Sequence, residues 1–100
     1  MTRNQKNQMQ ALGHSLKPTV SIGGRGLSQG CLMELDRALR DHELIKVKIR
    51  AIKPKRVSLT NLICEKTGCE LISLTGTIAL FFRPSVLQKP RLSNLIRPIL

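Results

Sequence analysis

The stretch from Thr19 to Arg50 constrains the fold more than any other part of the chain. Thr19-Val20-Ser21-Ile22 is a short β-rich run that feeds directly into Gly23-Gly24-Arg25-Gly26. Ser28 then opens a helical pattern to about His42, with Leu32, Leu35 and Leu39 at i, i+3 and i+7 and Cys31, Ala38 and His42 widening the stripe. Gly30 falls in its first turn, where a glycine costs least. Leu44 to Arg50 alternates, with Ile45, Val47 and Ile49 on one face and Lys46, Lys48 and Arg50 on the other, which predicts a strand with one core face and one basic face in water. Strand, helix, strand in this order implies a right-handed parallel crossover. The carboxyl ends of two parallel strands lie at one end of the sheet. The glycine loop and the cations Arg50, Lys53, Lys55 and Arg56 are therefore expected to meet on one rim, where open α/β sheets bind ligands.

Glycine lets a backbone approach a ligand closely, and the first N–H groups of a helix carry the positive end of its dipole. Gly23 to Gly26 reads as a Gly-x-x-Gly loop with Gly24 and Arg25 at the x positions, suited to a nucleic-acid backbone. A tight strand-to-helix turn accounts for the same residues equally well. Charge bears on the choice. The chain of 100 residues carries 17 Lys and Arg against 6 Asp and Glu, a formal net charge of +11. In so small a domain this imbalance implies a polyanionic partner, with nucleic acid foremost. Glu34, Asp36, Asp41 and Glu43 crowd into one stretch, leaving the rest of the surface almost wholly positive. A membrane-surface protein would need a long basic amphipathic helix with aromatic anchors, and Trp and Tyr are absent. No membrane partner is expected. Met1-Thr2-Arg3-Asn4 lacks the apolar core of a secretory signal, and a cytosolic location is expected.

The flanking segments complete an order α-β-α-β-α-β-β. Residues 2 to 17 suit a helix with Thr2 as N-cap, an apolar stripe of Met9, Leu12 and Leu16, and a polar face rich in Asn and Gln. Lys17-Pro18 ends it. The strand at Thr19 to Ile22 is read as internal to the sheet. A third helix is expected over 57 to 67 with Gly68 as its stop, then strands over 70 to 75 and 77 to 83 joined at Gly76. Ile72, Leu74, Ile78, Leu80 and Phe82 are assigned to the core, and Phe81 to the opposite face, as a covered hydrophobe or a ring on which a base stacks. Residues 1 to 85 form the predicted domain. Residues 86 to 100, interrupted by Pro90 and Pro98, form an apolar and basic tail.

The cysteines Cys31, Cys64 and Cys69 include no Cys-x-x-Cys pair and have no zinc-compatible spacing to His14 and His42, so free thiols and no metal are expected. Cys31 and His42 share a helix face, but eleven residues at about 1.5 Å each hold them roughly 16 Å apart, too far for a nucleophile and its base. His42 suits the C-terminal end of its helix dipole. The loop has no Gly-Lys-Ser/Thr and is no nucleotide P-loop. The acids sit among Arg37 and Arg40 as a solvated face. No enzyme activity and no cofactor is expected.

Leu12-Gly13-His14-Ser15-Leu16-Lys17-Pro18, Val20 to Ser28, His42-Glu43-Leu44-Ile45-Lys46-Val47-Lys48 and Leu74-Thr75-Gly76 leading to Phe81-Phe82-Arg83-Pro84 together resemble the CRM domain (chloroplast RNA splicing and ribosome maturation), in particular its stand-alone bacterial forms. The resemblance implies a two-layer α/β fold like the C-terminal domain of translation initiation factor three, a four-stranded mixed sheet with helices on one face and an added N-terminal helix. It further implies binding of structured RNA through the glycine loop, here Gly23, Gly24, Arg25 and Gly26, and association with precursors of the large ribosomal subunit. The first helix departs from the family in carrying Asn4, Asn7, Gln8 and Gln10 where members carry more basic and aromatic residues. The expected function is RNA binding in assembly of the large subunit, with Arg50, Lys53, Lys55 and Arg56 extending a phosphate track and Lys46 and Lys48 contributing from the open sheet face. Lys17 and Arg83 are expected at the far end of the sheet. The expected partner is ribosomal RNA and the expected state a monomer. The alternative is a protein-interaction module that meets an acidic protein through the basic surface and apolar tail.

Overall fold

A computed structural model describes residues 2–23, 25–85 and 93. α1 (Arg3–Gly13) starts at Thr2, whose hydroxyl accepts the Gln5 N–H while the Gln5 side chain accepts the Thr2 N–H, a reciprocal capping box. β1 (Pro18–Ile22), α2 (Gln29–His42), β2 (Leu44–Ile49), α3 (Lys53–Thr67), β3 (Glu70–Thr75) and β4 (Ile78–Phe82) follow in the expected order. β1 and β2 are parallel, and β4 lies antiparallel to both β2 and β3, giving the order β1-β2-β4-β3. β1 is thus an edge strand, not an internal one. The returning hairpin supplies β2 with its second neighbour, and an edge accommodates Pro18, which has no N–H to donate.

α2 and α3 cover one face. Leu35, Leu39, Leu59 and Ile63 pack there on Val20, Ile22, Ile45, Val47, Ile49, Ala79 and Phe81. The side chains of β4 therefore point opposite to the sequence expectation: Phe81 is fully buried in this main core, while Leu80 and Phe82 face the other way. An irregularity between Leu71 and Ser73 resets the alternation of β3, so that Leu71 and Leu74 reach the main core and Ile72 does not.

α1 packs on the second face. Met9, Leu12 and Leu16 close over Leu44, Ile72 and Leu80. The approach is tight at Gly13, where a Cβ would stand 2.8 Å from Leu80 Cδ2. The sheet therefore has two helices on one face and part of a third layer on the other. That corrects the expectation of a basic face open to water, since the lysines on this face of β2, Lys46 and Lys48, are half-buried.

Candidate nucleic-acid interface

The carboxyl ends of β1 and β2 are joined directly: Arg50 N–H donates to Ile22 O at 2.8 Å. The glycine loop and the residues after β2 therefore share a border, as the crossover requires. In the loop, Gly26 N–H donates to Gly23 O at 3.1 Å, closing a tight turn that exposes Arg25. Gly26 has φ +86°, a backbone region that a Cβ disfavours. A Cβ on Gly26 would also lie 3.9 Å from Leu59 Cδ2, so the loop rests against α3. Gly24 lies outside the described residues.

The two helix N-termini at this rim differ. Ser28 caps α2, its hydroxyl accepting the Cys31 N–H at 3.0 Å. α3 begins at Lys53, four residues earlier than the sequence pattern indicated, with Pro54 in its first turn. Its N-cap, Ile52, supplies no side-chain acceptor, and the first turn contains no acid. Lys53, Lys55 and Arg56 hence sit on a helix start and not on a loop trailing β2. Their charges stand at the positive end of the dipole, an arrangement that an incoming anion relieves. Arg50, Lys53 and Lys55 are exposed. Arg56 is turned inward: Nη1 donates to Ala51 O at 2.6 Å and buried Nε has no partner among the described residues. It fixes the end of β2 to α3 more than it faces solvent.

Ile52 stands among these cations with 73% of its surface exposed. The sequence pattern gives it no element, because the alternation of β2 ends at Arg50 and the helical periodicity begins at Val57. The residue before a Lys-Pro helix start is the signal that could have found it.

Lys46 and Lys48 lie off the rim, on the face that carries α1. Lys46 pairs across to Leu80 and Lys48 to Ile78. Arg83 is at the far end, as expected, and is fully engaged there. Its Nη1 donates to Asp36 Oδ1 at 2.6 Å and to Thr67 O at 2.9 Å, and its Nη2 donates to Asp36 O at 3.0 Å. The hydrogen bond from Arg83 holds the Asp36 carboxyl below the usual carboxylate range. Asp36 thus joins elements and is not merely solvated. Glu43, also expected on a solvated face, is 2% exposed. It sits just past α2 with φ +64°, and its carboxylate accepts Ser85 N–H at 2.9 Å and the Ser93 hydroxyl at 2.7 Å. The predicted tail beyond Ser85 otherwise lies outside the described residues. Cys64 and Cys69 have their sulfurs 3.8 Å apart, and burial together with Cys69 pushes the Cys64 thiol up to about 12. Among the described residues no helix is long and apolar enough to cross a membrane.

Comparison with known proteins places this arrangement. The chain is 40% identical over 98 residues to a Pseudomonas aeruginosa protein named a probable RNA-binding protein, covering 97% of this chain and 94% of that one. It is 37% identical over 95 residues to a Haemophilus influenzae protein named an RNA-binding protein, covering 91% and 96% respectively. The solution structure of a Staphylococcus aureus protein, described as a candidate RNA-binding protein, superposes with a TM-score of 0.78 at 28% identity, covering 89% of this chain and 94% of that one. Residues 1–83 match the CRS1 / YhbY (CRM) domain model, and the chain belongs to that family.

Proposed function

We propose that the protein binds RNA at the rim formed by the glycine turn, Arg50 and the start of α3, and that it acts in the cytosol, as a monomer, on ribosomal RNA in precursors of the large subunit. The observation that carries the RNA reading is the start of α3, where uncapped N–H groups and the exposed Lys53 and Lys55 adjoin an arginine-tipped turn through the Arg50–Ile22 hydrogen bond. Arg25, Arg50 and Lys53 form no ion pair or side-chain hydrogen bond among the described residues. Phosphate oxygens supply what these groups lack. The names of the relatives agree with such a partner, and the family resemblance supports the ribosomal precursor.

The rim has no aromatic ring, since both phenylalanines lie in β4, and Phe81 is buried. Recognition there rests on phosphate position and RNA shape. Crosslinking in cells followed by sequencing of the attached RNA tests the assignment. Enrichment of large-subunit precursor RNA is the expected result, and an RNA profile that merely tracks cellular abundance removes the ribosomal part of it.

A further inference from the structure

The rim leaves unused the polar face of α1, which carries Asn7 and Gln10. Asn7, Gln10, Ala11 and His14 recur at helical spacing along one stripe, beside the apolar stripe that docks α1. This amide stripe forms one wall of a groove of about 630 Å³ on the second face of the sheet. Its floor is made by cross-strand rows. Lys46, Leu80 and Ser73 pair side by side across β2, β4 and β3, and Lys48, Ile78 and Thr75 form the next row. Every member of the first row lines the groove, as do Ile78 and Thr75.

We propose that this groove takes unpaired RNA nucleotides and reads their base edges. Three observations commit it to that occupant. Among the described residues no acid lines the groove, and Lys46 is its one formal cation. The walls present side-chain amides and hydroxyls, each offering both a donor and an acceptor, while Leu80 and Ile78 give an apolar floor on which a base can lie. The groove also reaches toward the rim end of the sheet: Thr75 and Ile78, which line it, flank the β3–β4 turn, where Ile49 N–H donates to Thr77 O at 2.7 Å next to Arg50. A strand leaving the rim passes Lys48 and then Lys46, two residues apart on one face. An acidic peptide is the poorer fit, because one lysine among neutral amides gives it little charge to meet.

This inference rests on the RNA reading of the rim, and the two fail separately. The probes are fluorescently labelled ten-nucleotide homopolymers of A, C and U, bound to the full chain and followed by anisotropy. Asn7, Gln10 and Thr75 are exposed and their side chains form no hydrogen bond among the described residues, so N7A/Q10A/T75A leaves the fold intact. The unaltered protein is expected to separate its best from its worst homopolymer by about tenfold, as base-edge hydrogen bonds do. The triple variant flattens that range to about twofold and keeps the same salt dependence. Crosslinks from 4-thiouridine RNA fall on peptides of α1 and β3 in the unaltered protein. Salt-dependent binding with the same base ranking in both proteins removes the groove and leaves the rim standing. Binding indifferent to salt in both removes the rim and the groove with it.

Discussion

The two ends of the sheet hold the same kind of charge in opposite circumstances. At the far end Arg83 has one carboxylate and two backbone carbonyls within hydrogen-bond distance, while Glu43 is buried with its own donors. At the rim, Arg25, Arg50 and Lys53 stand exposed beside a helix start that lacks both a cap and an acid. The net charge of +11 does not distinguish the two ends. What separates them is where the few acids went. Asp36, midway along α2, pairs with Arg83, and Glu43, just past the helix, accepts from Ser85 and Ser93, so both acids are engaged away from the glycine turn, while the first turn of α3 holds none. A cation already bonded within the fold stabilises it, whereas one without a partner favours an incoming anion.

Reversing charge at the rim should give the largest effect. The double substitution R25D/K53D removes two phosphate contacts and adds two repulsions, and RNA affinity should fall by about 100-fold or more. The melting temperature should stay nearly constant, because neither side chain has an ion-pair or hydrogen-bond partner among the described residues. A fall in stability with affinity preserved would invert the comparison. Titration at several salt concentrations sharpens it: three or four phosphate contacts give a log–log slope of about −2 to −3, and R25D/K53D should bring that slope toward zero.

The converse substitution belongs to the far end. R83A strands the Thr67 carbonyl and leaves the Asp36 carboxylate with Arg40 alone, and urea denaturation should show a loss of about 2 kcal/mol. The RNA affinity of the folded fraction should be unchanged. Weakened RNA binding at concentrations where R83A is fully folded would show that the two ends are coupled.

The residues that announced themselves most clearly in the sequence did so because they obey local rules. Thr2 and Ser28 cap helices as their positions indicate, and the alternation of Ile45, Val47 and Ile49 gave β2 its core face. The juxtaposition of the rim followed from the crossover rule, since parallelism alone fixes which strand ends coincide. What stayed hidden was set by tertiary partners. The phase of β4 could not be read where Ile78, Ala79, Leu80, Phe81 and Phe82 are all apolar: both faces of that strand are covered, one by α2 and α3 and the other by α1. The start of α3 was missed because Ile52 offers no capping side chain, leaving Pro54 as the only local marker. Glu43 lies in the string that most strongly marked the family, yet its carboxylate is buried on Ser85 and Ser93, 42 and 50 residues away in the chain. A pairing that remote leaves no periodic trace.

The loop turn offers a smaller effect. G26A puts a Cβ on a residue at φ +86°, at a cost of about 1–2 kcal/mol. Leu59 Cδ2 at 3.9 Å leaves room for the methyl group, so the strain lies in the backbone. The distorted turn should lower RNA affinity several-fold as well as stability. This variant alone should move both quantities, because the turn belongs to the rim and rests on the core.

The smallest effect is a pH dependence at the far end. Asp36 has its pKa lowered chiefly by the Arg83 hydrogen bond, so the folded state holds its proton less tightly than the unfolded chain does. A depressed folded pKa contributes stability that is fully present above the unfolded value of about 3.9 and is lost as pH falls through the folded value. Asp36 keeps 45% of its side chain exposed, and solvent screening holds the contribution to about 1 kcal/mol. D36N leaves a neutral acceptor for Arg83, so it should be less stable than the unaltered protein by that amount at pH 7. The gap should shrink as pH falls below 4 and close once the aspartate is protonated in both states. RNA affinity at neutral pH should be the same in both proteins, since the carboxylate faces Arg83 and not the rim. A gap that persists undiminished at pH 2 would mean that Asp36 acts through packing, and the far end would then owe its stability to shape and not to matched charge.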